Sequence, residues 1–405
     1  MVELGMMLLS GVLLWEVARA YRRQRRAIGL GRAPRPPARY PSVTVVRPIK
    51  GLDTRIEDNL RAALDNDYPG PVETLFVFDD EREPALTAVR RVLAEARRGE
   101  QPVEARILFS GPPPARRTGK LNAMIAGLAE ARGEIVAFVD SDVLQDRQAL
   151  RVLVETLLER AEAGAAFAPV VATEPPATVG DAAYALMLNG LYEPAALATA
   201  AEQGGQLPFI MGEFMAFKRE AIAAIGGLES AEGQLVDDMF LGQRLRQCGY
   251  RNVIAPHWVA IVQRGATLAE FLPVLIRWIV FSRSGLPARA FKLQHWRVGG
   301  AFWTGLLLAL TAAFGGQLLA AALAASVPLA VVVMINDLHH RVGGAPLPLR
   351  YRWVAAALWL GAPLIYARTL TAREIAWRGR RYRLNRHARL QAGAADREPS
   401  ARTMG

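Results

Sequence analysis

Two apolar patterns divide the chain, and the change falls near residue 265. Before it, short apolar runs alternate with amphipathic stretches, the pattern of strands followed by helices. "SVTVVRPI" (42–49), "ETLFVFDD" (73–80) and "EARILFS" (104–110) read as strands, with helices over 56–64, 84–96 and 121–131 and a loop at "GPPPARRTG". Ile135–Val139, in "EIVAFVDSDVLQD", is apolar without alternation, as expected of a parallel strand buried on both faces. The pattern predicts an α/β domain over 42–265.

Beyond that point the apolar stretches lengthen. Residues 271–281 mix apolar side chains with Arg277 and Trp278, so 266–297 reads as interfacial helices. The stretch 298–335 is long enough for two spans of ~20 residues each, with a turn at Gly315-Gly316-Gln317. A third stretch, 353–370, is interrupted by Gly361-Ala362-Pro363 and is expected to re-enter the membrane rather than cross it, within a helical region 298–372. Near the start, an apolar stretch precedes Arg19, Arg22, Arg23, Arg25 and Arg26. Charge after the apolar run predicts an anchor over 1–20 with its N-terminus outside. Ala18-Arg19-Ala20 also imitates a signal-peptide cleavage site. Residues 21–41 read as a basic, proline-rich linker, non-helical at "RAPRPPARYP". Residues 373–405 read as a basic cytosolic tail lying near the cleft and disordered from about 391.

Composition supports a membrane protein, with 52% hydrophobic residues. The single cysteine, Cys248, excludes a disulfide framework. The net charge of +11 is carried by arginines that flank apolar segments, and no zinc-finger or helix-turn-helix pattern is present. The excess therefore reads as a membrane-flanking bias, with no nucleic-acid partner.

Two strands end in paired carboxylates, Asp79-Asp80 and Asp140-Ser141-Asp142. Buried carboxylates must be solvated, paired with cations or bound to metal. Ligands of open parallel sheets bind beyond the carboxyl ends of the strands, so two acidic tips on that edge point to one site. Asp140 and Asp142 can hold a hard divalent cation that in turn holds phosphate oxygens, or they can form a solvated turn. Asp237 and Asp238 open a helical pattern, where one can cap the helix while its neighbour faces a cleft. Lys120 and Asn122 follow a loop carrying Arg116 and Arg117. Lys120 is suited to phosphate, and Arg277-Trp278 to either a membrane interface or the cleft.

"VRPIKGLD", "NLRAALDNDYP", "FVFDDEREPA", "TGKLNAMIAGL", "FVDSDV", "MGEFMAFKREAIAAIGGLE", "LVDDMFLGQRLRQCGYR", "IRW" and "WRGRRYRL" resemble, in this order, the motifs of ceramide glucosyltransferases. These are membrane-bound, family-2-like enzymes of glycosyltransferase family 21, and the resemblance covers about 42–384. It implies a GT-A nucleotide-sugar-binding fold with a mostly parallel, Rossmann-like sheet. The implied reaction is inverting transfer of a hexose, glucose first, from a UDP-sugar to a lipid hydroxyl such as that of ceramide. Under it Asp79 meets the nucleotide, with Asp80 a competing assignment, and Lys50, Lys120 and Asn122 line the pocket. Asp140 and Asp142 hold the donor through Mg²⁺ or Mn²⁺. Asp238 is the catalytic base, with Asp237 the alternative. Arg277 and Trp278 lie near diphosphate and acceptor, and Glu193, Gly212, Glu213, Arg378 and Arg381 fall in segments assigned to the acceptor side.

Three positions depart from the family pattern. Asp142 stands where animal enzymes have glycine, Glu193 where they have histidine, and Val274 where glutamine or arginine is usual. The acceptor alternatives are a hopanoid or a polyprenyl phosphate, and the non-enzymatic alternative is a membrane scaffold with a decayed transferase domain. The expected location is a bacterial inner membrane with the catalytic domain in the cytosol.

Overall fold

The computed structural model describes residues 1–29, 31–98 and 104–391, with only the backbone of 294–297. The end of the tail expected to be disordered, 392–405, lies outside the described residues. A long helix, α1 (Val2–Ile28), precedes the sheet domain. There β1 (Val43–Pro48), α2 (Ile56–Leu64), β2 (Val72–Phe78), α3 (Leu86–Ala96), β3 (Glu104–Phe109), α4 (Gly119–Glu130) and β4 (Ile135–Val139) alternate as predicted. β5 (Val143–Leu144), α5 (Ala149–Leu158), β6 (Ala163–Phe167), β7 (Val170–Ala172) and α6 (Val179–Met187) come next. A π-helical turn, Leu188–Tyr192, leads into α7 (Glu193–Glu202). β8 (Gln206–Leu207), β9 (Phe214–Lys218), α8 (Arg219–Ala224), α9 (Asp237–Gln247), β10 (Arg251–Ile254) and β11 (Val259–Ile261) complete the domain.

The main sheet runs β3-β2-β1-β4-β9-β6-β10-β8. β3, β2, β1 and β4 are mutually parallel, so their carboxyl ends share one edge. β9 is antiparallel to β4, with Phe214 opposite Val139. The chain entering β9 therefore arrives at the edge where β4 leaves. β4 is buried along its whole length, and its alternate side chains enter two different clusters. Ile135, Ala137 and Val139 face one cluster, while Val136 and Phe138 face the other. Burial on both faces accounts for the unalternating run, since neither face of the strand meets water.

The remaining elements are α10 (Leu268–Gly285), α11 (Ala288–Phe314), α12 (Leu318–Arg341), α13 (Val354–Thr371), β12 (Glu374–Trp377) and β13 (Arg380–Arg383). Among the described residues three helices are long and apolar enough to cross a membrane: α11, α12 and the stretch Leu349–Thr371 that contains α13. α11 and α12 turn at Gly315-Gly316, where Gly316 takes φ +70°. α1 departs from the expected anchor and linker by remaining helical through its arginines. Tyr21 donates to Asp337 on α12 (2.7 Å) and Arg23 to Glu202 on α7 (2.6 Å), so tertiary partners carry the helix past residue 20. The Tyr21–Asp337 bond also sets the C-terminal ends of α1 and α12 together.

α13 differs as well, because the break expected at Gly361-Ala362-Pro363 is absent and the helix runs unbroken. Pro363 has no N–H to give the Trp359 carbonyl. The indole N–H of Trp303 on α11 donates to that oxygen instead (2.9 Å). The end of α13 is nevertheless tied to the domain, since β12–β13 pairs Arg380 with Asp79 at the sheet edge (2.9 Å). With α11 leading away from the domain and α12 leading back, a complete crossing by α13 would strand this hairpin on the far face. We propose on this ground that α13 starts and finishes on the domain's side; it packs against α10 and α6.

Single cysteines in a Cys248→Ser background test this in sealed vesicles. An impermeant thiol reagent should reach Gly315→Cys from one face and both Pro346→Cys and His387→Cys from the other. Labelling of His387→Cys from the Gly315→Cys face would show that α13 spans.

Candidate active site

The register of β4 on β9 builds the centre of the cleft. The Asp140 N–H donates to the Glu213 carbonyl (2.8 Å), and the Asp140 carboxylate pairs with Lys120 Nζ at 2.5 Å. Lys120 also donates to the Gly212 carbonyl (2.9 Å). It lies in the first turn of α4, which Thr118 caps by accepting from the Leu121 N–H (3.1 Å). Asp142 faces Arg378 at 3.5 Å, while Asp53 accepts from the Ser141 hydroxyl and from Arg378. Beneath them lies Arg47, fully buried, which donates to the Val143 carbonyl and leaves Nε and Nη1 without partners. Burial lowers its guanidinium to about 10, against the pull of Asp142, Asp140 and Asp53. Burial also pushes both tip carboxyls up, Asp142 to about 6.

Asp79 pairs with Lys50 (2.8 Å) and Arg380 (2.9 Å), and Lys50 also reaches Glu83. Asp80 turns instead to Arg82 (3.0 Å), so of the two competing carboxylates Asp79 lines the cleft. Two other expected positions lie elsewhere. Asn122 donates to the Ser110 and Gly111 carbonyls and accepts from Arg117, bracing its loop outside the cleft lining. Arg381 is exposed and pairs with Glu374 (3.1 Å). Strand alternation explains this, since it sends Arg380 and Tyr382 to one face of the hairpin and Arg381 to the other. Asp53, Arg47, Arg380 and Tyr382 were not singled out from sequence, although Asp53 and Arg47 lie in "VRPIKGLD" and period-2 spacing separates Arg380 from Arg381.

Asp237 and Asp238 form the first turn of α9. Asp237 is buried, accepts from the Asp238 N–H (3.1 Å) and keeps Oδ2 without a partner. Asp238 accepts from the Met239 N–H (2.7 Å) and lines the cleft. A Cβ at Gly212 would come within 2.5 Å of Asp238 Oδ2, so this close approach requires glycine. Burial, reinforced by Asp237, pushes the Asp238 carboxyl up to about 8. Glu213 is raised to about 7, by burial first and Asp140 second. Glu193, at the end of the π turn, is buried with Oε2 unpartnered, and burial holds its carboxyl well above the usual range. Arg277 is lowered to about 10 by burial and has an unpartnered Nε. Trp278 packs edge-on against Tyr192 at 5.3 Å.

These groups line one cleft of about 1810 Å³, which continues from Asp79 and Asp140 to an apolar wall that includes Trp303, Trp359 and Tyr366. Among the described residues no cluster of three or more His, Cys, Asp or Glu side chains is placed to hold a metal ion. Asp140 and Asp142 fit a Mg²⁺-type site, in which one or two carboxylates are completed by substrate phosphates and water. Both are half-buried, and a cation there would oppose the desolvation that raises their carboxyls.

Parallel strands with acidic carboxyl ends, joined at that edge by an antiparallel β9, define a GT-A glycosyltransferase fold. A mannosyltransferase from Pyrobaculum calidifontis, solved in complex with GDP-Man and Mn²⁺, shares it with a TM-score of 0.55 and 22% identity, over 89% of this chain and 99% of that one. The profile of glycosyl transferase family 21 matches residues 6–390, and the chain belongs to that family. Ceramide glucosyltransferase 3 of Caenorhabditis elegans is 21% identical over 249 residues, 61% of this chain and 52% of that protein. Ceramide glucosyltransferase 1 of the same organism is 23% identical over 262 residues, 62% of this chain and 52% of that protein. The chain thus spans about half the length of the curated relatives it matches.

Lys120→Met removes the cation from a half-buried pair, a loss of up to about 3 kcal/mol. The folded variant then holds Asp140 with its pKa raised further above the unfolded value of about 3.9. The deficit against wild type should be full at pH 7 and shrink as pH falls towards 4, where the carboxyl can fold protonated. Denaturation of both proteins in detergent at pH 7 and 4.5 measures it, and an equal deficit at both would exclude this electrostatic origin.

Proposed function

We propose that the chain is a membrane-bound, inverting glycosyltransferase that moves a hexose, glucose first, from a UDP-sugar to a lipid hydroxyl, with ceramide the favoured acceptor. The observation that carries this reading is the single cleft joining acidic strand tips to an apolar helical wall. A water-soluble, charged donor suits one end and a lipid the other. The family membership and the lipid in the relatives' names support the acceptor class. Arg19 to Arg26, Arg341, Arg350 and Arg352 flank the helices on the cleft side, while the α11–α12 turn carries no charge. That asymmetry supports a cytosolic cleft.

In this mechanism Asp140 and Asp142 would hold Mg²⁺ or Mn²⁺, which when bound supplies Lewis-acid stabilisation of the departing diphosphate. Lys120 fixes Asp140 and adds positive charge beside it. Lys50 and Asp79 line the nucleotide end of the cleft. Arg277, half-buried and in no ion pair among the described residues, offers charge to phosphate oxygens. Asp238 takes the proton from the acceptor hydroxyl as that oxygen attacks the anomeric carbon. The C–O bond to the sugar forms on the face opposite the breaking bond to UDP, so the anomeric configuration inverts. Trp278, Tyr192 and the apolar wall steer the lipid, and Glu193 lies in that half of the cleft.

Asp238→Asn should leave UDP affinity within about twofold and lower transfer by ~100-fold or more. A base must be deprotonated to act, so kcat/KM should rise with pH, pass half its maximum near pH 8 and level off only above it, since burial and Asp237 push this carboxyl up to about 8. Near-normal turnover in the variant would pass the role to Asp237. Incubating the wild type in nanodiscs with UDP-glucose and, separately, ceramide, a hopanoid alcohol or a polyprenyl phosphate tests the acceptor. Glucosylceramide is the expected product. Transfer only to another lipid would overturn ceramide, and absence of both transfer and UDP binding would favour the scaffold.

A further inference from the structure

The hairpin β12–β13 enters the cleft from the far end of the chain, and its tip is built against turn preference. Arg378 and Gly379 both take positive φ, 50° and 76°. Two-residue hairpin turns of this kind favour asparagine and glycine at both positions. An arginine there implies that its side chain, not its backbone, selects it. The hairpin around it is anchored. Trp377 packs edge-on against Phe281 of α10 (5.5 Å), and the Gly119 N–H at the start of α4 donates to the Tyr382 hydroxyl (3.2 Å). Arg380 is committed to Asp79. Arg378 alone spans Asp53, the Lys50 carbonyl (3.3 Å) and Asp142 (3.5 Å), with 35% of its side chain open to the cleft.

We propose that Arg378 and the divalent cation are alternative partners of Asp142, and that arrival of the cation frees the guanidinium to take the donor's diphosphate. This rests on the UDP-sugar reading above. A guanidinium already seated on Asp142 and Asp53 repels a dication bound to Asp140 and Asp142, since like charges at that separation destabilise each other. The cation takes Asp142, and the planar fork then meets phosphate oxygens, for which arginine is suited. Because Trp377 and Tyr382 fix the backbone, only the side chain has to move. Arg378 would thus serve the leaving group on the donor side, where the sequence motif alone had placed it with the acceptor.

The test uses the full chain in detergent, with Mn²⁺ binding followed by electron paramagnetic resonance and UDP binding by calorimetry. Arg378→Ala should bind Mn²⁺ alone several-fold more tightly than wild type, because a competitor is gone. In saturating Mn²⁺ it should bind UDP roughly 10-fold more weakly, having lost a charge-assisted contact. Arg378→Lys, which keeps a cation at the tip, should fall between on both scales, and Arg383→Ala should match wild type. Opposite signs for the two ligands are the signature that a merely structural role would not give. If both affinities fall together, or Mn²⁺ affinity is unchanged, the exchange is wrong. Failure of the wild type itself to bind UDP with Mn²⁺ present would overturn the donor reading instead, and it is read without any variant.

Discussion

Charge balance at the carboxyl edge of the sheet is the constraint on which the rest depends. Asp53, Asp79, Asp140 and Asp142 are brought to one edge by strands that must be apolar and buried to hold them there. Two unit charges about 4 Å apart interact by about 4 kcal/mol at an effective dielectric of 20. A few such terms left unbalanced would rival the whole stability of a domain, about 5–15 kcal/mol. The protein answers with cations drawn from distant parts of the chain: Arg47 from β1, Lys50 after it, Lys120 from a capped helix, and Arg378 and Arg380 from the C-terminal hairpin.

That requirement also governs the membrane part. α13 has the length and apolarity of a span, yet its last residues must deliver two arginines to the sheet. Packed against α10 and α6, it also forms part of the apolar wall of the cleft. In the proposed reaction the same helix that faces the lipid is therefore continuous with the hairpin that faces the nucleotide.

What was legible in the sequence follows the range of the interactions involved. β4 could be read because burial on both faces acts residue by residue and leaves an unbroken apolar run. The acidic tips and the α11–α12 turn were legible for the same reason. The unbroken course of α13 was not, since the donor that relieves the Trp359 carbonyl is Trp303, on another helix. The extension of α1 likewise depends on Asp337 and Glu202, far along the chain. Asn122 looked like a pocket residue by its neighbours in sequence, but its amide is occupied by Ser110, Gly111 and Arg117. In the hairpin the information was present in the two-residue period and passed over.

The position of the hairpin in the chain has a consequence for biosynthesis. Residues 374–383 leave the ribosome after the strands of the main sheet and after the described helices that are long enough to cross the bilayer. Until then the acidic edge lacks Arg378 and Arg380, and the cleft lacks one wall. A nascent chain therefore holds an acidic sheet edge that is still short of its counter-charge. The hairpin closes it, so in the proposed reaction competence for the donor would arrive only after those helices have been made, and a chain cut ahead of Trp377 would lack both arginines.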